Sequence, residues 1–224
     1  MPTPPSLTGA AGRPADPRLG PDHPVGWILR VLAVGWCVRI FVGTLGDREY
    51  RSLWSGITLG FHELGHIVLM PLGMFPGVAG GTLFQLAIPA LAAFLLHRQG
   101  DPVGFSVGLV WLGTALVEMG AYVGDARARA LQLVSPFSGE PIHDWEWMLG
   151  RVGLLEQDLL LGGVCHFSGV VLMAAALLLG VNALLVTRPG RGNGPPEPGS
   201  GRPSMSIPQG GMPEEGLEPP TRGL

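Results

Sequence analysis

The chain has 224 residues, 46% of them hydrophobic and only 14% charged, with a mean hydropathy of +0.35 and a formal net charge of −3. Soluble globular domains carry roughly a quarter charged residues, so an ordinary soluble domain is excluded. Nucleic acid is excluded as a partner because no basic patch is present. The two cysteines, Cys37 and Cys165, fall in apolar runs and make neither a disulfide framework nor a zinc ribbon.

Long apolar stretches separated by short polar turns predict an all-α polytopic membrane protein with about five spans. Residues 1–24 are rich in Pro, Gly and Ala, lack hydrophobic periodicity and are expected to form a disordered arm. The membrane domain is expected over 25–186. Its first span covers about 25–45, with Arg30 and Arg39 placed to snorkel toward the two interfaces. The second covers about 53–73. Residues 74–82, Gly-rich and uncharged, read as a turn. The third span covers about 83–96, with Gln85 and Pro89 inside it, and the fourth about 103–124, with Glu118 inside it.

The polar connection 126–158 contains Trp145, Met148, Leu149, Val152 and Leu155 at helical spacing, which predicts an amphipathic interfacial helix over about 144–156. The last span covers about 159–186, and 187–224 is a Pro/Gly-rich tail expected to be disordered. All fourteen basic residues are arginine, beside 36 glycines and 22 prolines. That bias suggests a GC-rich bacterial genome, and the expected location is the bacterial inner (cytoplasmic) membrane. Arginine is spread evenly between alternate loops and sets no orientation.

The second span contains Phe61-His62-Glu63-Leu64-Gly65-His66. In a helical His-x-x-x-His the two rings lie one turn apart on one face and can share a tetrahedral ion. Glu63 sits beside that face, where it can take a proton from an ion-activated water without occupying a ligand position. Two histidines and a glutamate without partners are costly at mid-span, which favours a metal site over a bland polar cluster. Gly65 lets a neighbouring backbone approach closely.

A catalytic zinc takes three protein ligands and keeps one position open. Asp125, Glu118, His143, Asp144 and His166 are the candidates for the third. Asp125 is favoured because it ends a span and shares a helix face with Glu118 and Tyr122. His143-Asp144 opens the proposed interfacial helix, where an aspartate is ordinary capping, and His166 suits a packing role. Gln85 suits an interhelical amide hydrogen bond or, if it faces a cavity, an oxyanion donor.

Phe-His-Glu-Leu-Gly-His-Ile at 61–67 on a spanning helix resembles the site-2 protease family of intramembrane zinc metalloproteases, above all its compact bacterial members. In that family an aspartate on a later span completes the site, in an Asn-Pro-Asp-Gly or Leu-Asp-Gly context. Here Asp125 stands in Tyr-Val-Gly-Asp-Ala-Arg, and no PDZ-like domain is present. The resemblance implies His62, His66 and Asp125 as ligands of Zn2+, Glu63 as the base, and a membrane-protein substrate cleaved in or near the bilayer. A non-catalytic metal-binding scaffold and another zinc-dependent membrane hydrolase are the alternative expectations.

Overall fold

In a computed structural model, residues 23–47, 50–131 and 142–188 are described. They form six α-helices and, among the described residues, no strand: α1 (Pro24–Gly46), α2 (Leu53–Leu69), α3 (Met74–Arg98), α4 (Pro102–Gly124), α5 (Asp144–Val152) and α6 (Asp158–Val186). The all-α expectation is met. The expected arm 1–24 and tail 187–224 fall almost wholly outside the described residues.

Among the described residues, four helices are long and apolar enough to cross a membrane: α1, α3, α4 and the stretch Leu155–Val186 that contains α6. By length and composition they mark an integral membrane protein. At 17 residues α2 is shorter, about 26 Å at 1.5 Å per residue.

Local signals set the helix starts. Asp101 accepts from Gly104 N–H at 3.0 Å ahead of Pro102, where proline's missing N–H is no loss. Ser52 N–H donates to Ser55 Oγ at the head of α2. Gly73, at φ +116°, turns the chain from a short 3-10 segment, Met70–Leu72, into α3. At the far end of α5, Gly153 at φ +71° supplies the left-handed stop.

The third span begins earlier than expected. The Gly-rich stretch 74–82 is helical and forms the first turns of a 25-residue α3. Close packing outweighs glycine's poor helix propensity there. A Cβ on Gly65 would stand 2.1 Å from Gly80 O, and one on Gly80 2.3 Å from Gly65 O, so α2 and α3 meet backbone to backbone.

The same device joins α4 to α6, the most extensive helix pair. Gly113 faces Gly169 and Gly120 faces Gly162. The glycines are seven residues apart on each helix and paired in reverse order, so the two helices run antiparallel. Around them pack Val110, Val117, Met173, Ala176 and Leu177, together with Cys37 and Ile40 of α1. α4 is therefore the central helix, touching every other one.

α5 buries Met148 and Leu149, and Leu149 joins Met119, Val123 and Ala126 in a second apolar cluster. Arg129, in a left-handed conformation at φ +49°, ties the turn after α4 to this helix through two 2.9 Å bonds to Glu146.

Candidate metal centre

α2 brings His62 and His66 to one face, one turn apart. His62 Nε2 lies 3.0 Å from His66 Nε2 and 3.1 Å from Asp144 Oδ2. Asp144 Oδ2 is 3.3 Å from His66 Nε2, which closes the triangle. His62 and Asp144 are buried and His66 is half-buried. These three form a group that could hold a metal ion. Two ligands about 2.0–2.1 Å from a tetrahedral ion stand about 3.3 Å apart, so the observed edges fit such an ion.

The surrounding hydrogen bonds settle which ring nitrogens face inward. Gln85 donates its amide N–H to Ala115 O on α4 at 3.2 Å. A carbonyl only accepts, so the amide oxygen must be the atom turned to His62 Nδ1 at 3.0 Å. His62 therefore carries its proton on Nδ1. His66 Nδ1 stands 2.9 Å from Gly77 O and must likewise donate. Each neutral ring has then used its only N–H, leaving two lone pairs and a carboxylate oxygen converging within hydrogen-bond distance. The arrangement suits a positive charge between them, from a proton or a metal cation.

Asp125, the expected third ligand, is not in this group. Its Oδ1 accepts from Ala130 N–H at 2.9 Å and its Oδ2 from Leu131 N–H at 3.0 Å, so both oxygens cap the turn after α4. It sits next to the site all the same. Asp125 Oδ2 is 3.6 Å from His143 Nε2, the His143 ring lies 4.2 Å from that of Tyr122, and Tyr122 Oη accepts from Asp144 N–H at 3.1 Å. The polar face of α4 thus steadies the segment that delivers Asp144.

The expected capping role belongs to His143, whose Nδ1 accepts from Glu146 N–H at 3.2 Å. Asp144 is the first helical residue and lies one turn ahead of Met148, on the face that α5 buries. That spacing was the available signal for Asp144. Carboxylates at helix starts are common enough to hide it.

Glu63 is half-buried and lies within electrostatic range of His66 and Tyr122. Among the described residues it has no hydrogen-bond or ion-pair partner. Glu118 accepts from Ser55 Oγ and is thereby tied to α2. His166 is outside the group, and its backbone packs against Gly120. Gln85 makes the expected interhelical amide bond and also orients the His62 ring.

No protein-family model, curated protein or solved structure matches the chain.

Proposed function

We propose that this chain is an intramembrane zinc-dependent hydrolase of the metallopeptidase type, similar in its chemistry to site-2 proteases and acting in a bacterial inner membrane. The observation that carries the proposal is the convergence of His62 Nε2, His66 Nε2 and Asp144 Oδ2, with the ring protons committed to Gln85 and Gly77. Two imidazoles and one carboxylate are a donor set suited to zinc, and three protein ligands leave a position open for water or substrate.

Held there, zinc would supply Lewis acidity toward a scissile carbonyl and toward water. Glu63, the group left without a partner, takes the proton from the attacking water and returns it to the leaving amine. Gln85 and Gly77 O hold the two rings in the ligating tautomer, and Tyr122 steadies the Asp144 backbone. The substrate proposed is a transmembrane segment of another protein. His62 stands near the middle of α2, so such a segment must unwind locally to present its carbonyl.

The test is metal analysis and peptide cleavage on the purified chain. Zinc should co-purify at one ion per chain. Glu63→Gln should keep that zinc while hydrolysis falls by about 10²–10⁴-fold, the range for a lost general base. Undiminished cleavage by Glu63→Gln would remove the mechanism. Zinc held by a fourth protein ligand would instead make the site structural.

A further inference from the structure

We propose that Gly81 keeps the ion's seat open: it is the positioning residue on α3 whose missing side chain leaves room for a divalent cation between His62 and His66. The proposal rests on the metal reading above and adds a steric requirement to it.

A Cβ built on Gly81 would stand 2.5 Å from His66 Nε2 and 2.6 Å from both Nε2 and Cε1 of His62. Real carbons do not approach ring atoms so closely. Neither ring is a flexible chain end able to swing away, since His62 is held by Gln85 and His66 by Gly77 O. The methyl would press on the two nitrogens that ligate. Gly81 is buried inside a 25-residue helix, where alanine would otherwise be the better helix former.

The neighbouring glycines of α3 face other obstacles. A Cβ on Gly80 meets the Gly65 backbone, and one on Gly77 meets Met70. Gly80 thus allows the two helices to touch, and Gly77 makes room for a methionine. Gly81 is the one of the three whose nearest atoms are the ligands. Its hydrogen makes α3 a smooth wall beside the ion, and the same closeness limits the seat to a small cation.

The experiment uses the full chain in detergent or nanodiscs, titrated with Zn2+ and, for a spectroscopic signature, Co2+. The wild type, Gly81→Ala, His62→Ala/His66→Ala and the triple variant are compared. Gly81→Ala should keep its helical circular dichroism, lose roughly 100-fold in zinc affinity, the upper end of what disturbed ligand support costs, and lose the tetrahedral cobalt absorption band. It should lower Tm in the wild type but not in the background lacking both rings, because the obstacle is then gone.

Zinc binding by Gly81→Ala within about threefold of wild type, well inside the range for disturbed ligands, would overturn the proposal. So would an equal fall in Tm with and without the rings, since the clash would then lie elsewhere. If the wild type binds neither ion, the metal reading fails by itself, and the Tm comparison still decides whether Gly81 makes room for the rings.

Discussion

Two helix pairs in this molecule are built on the same contact and put it to opposite uses. In α4 and α6, Gly113 meets Gly169 and Gly120 meets Gly162, and the space around them is filled with Val110, Val117, Met173 and Leu177. In α2 and α3, Gly65 meets Gly80, and beside that contact stand His62, His66 and Gln85. Small residues bring backbones together in both pairs, as they do wherever lipid removes the hydrophobic drive for helix association. In the first pair, proximity is spent on dispersion contacts between apolar side chains. In the second it lets α3 backbone and side-chain acceptors reach the rings of α2. A glycine contact therefore does not reveal whether a helix interface is structural or functional. The side chains one turn away do.

This contrast can be broken first at the carboxylates. Asp144→Ala should cost zinc affinity more than the roughly 10–100-fold expected from losing a supporting partner, because the proposed site makes it a direct ligand. Asp125→Ala should leave zinc affinity nearly intact and lower stability by about 1 kcal/mol for each backbone hydrogen bond lost from the turn. Zinc titration and thermal unfolding of both variants check the pair. The reverse pattern would return Asp125 to the ligand role expected from sequence.

Gln85→Leu comes next. It keeps the side-chain volume but removes the acceptor for His62 Nδ1–H, so zinc affinity should fall by about 10–100-fold while thermal stability changes little. Equal zinc affinity in Gln85→Leu would mean that the His62 tautomer is set by something other than the amide.

The smallest effect tests the other pair. A Cβ on Gly169 would stand 2.6 Å from Gly113 O, and Gly169→Ala should cost about 1–3 kcal/mol, the usual range for overpacking. Zinc affinity should be unchanged. A loss of zinc binding there would show that the two pairs do not act independently.

Much of this was legible in the sequence. Apolar runs marked the four helices long enough to cross a membrane, although a fifth span was expected over 53–73 and the third starts earlier than expected, and His62, Glu63 and His66 stood out because three ionisable groups in five residues of a greasy helix call for a reason. Two features are not set by local sequence. The stretch 74–82 looked like a turn because glycine's local preference was weighed without the partner backbone that rewards its absence of side chain. The third member of the group looked like Asp125 because it ends a span, where a carboxylate can turn inward cheaply. Asp144 arrives from the long connection instead, and its inward direction is set by the docking of Met148 and Leu149. That docking is a tertiary fact, although the four-residue spacing from Asp144 to Met148 carries a trace of it. The heptad pairing of Gly113 and Gly120 with Gly162 and Gly169 was also open to inspection, since both spacings are printed in the sequence.

The origin of Asp144 on α5 also bears on the making of the protein. His66 leaves the ribosome 78 residues ahead of Asp144. At roughly 5–20 residues per second the interval is about 4–16 s. Throughout it the nascent chain would display only two of the three proposed ligands, His62 and His66. On the proposed zinc site, three-ligand binding waits until α5 has been synthesised and folded back onto α4, so the ion would enter as one of the last steps of biogenesis. On the same proposal, a chain truncated before residue 144 would lack the third ligand and bind zinc only weakly.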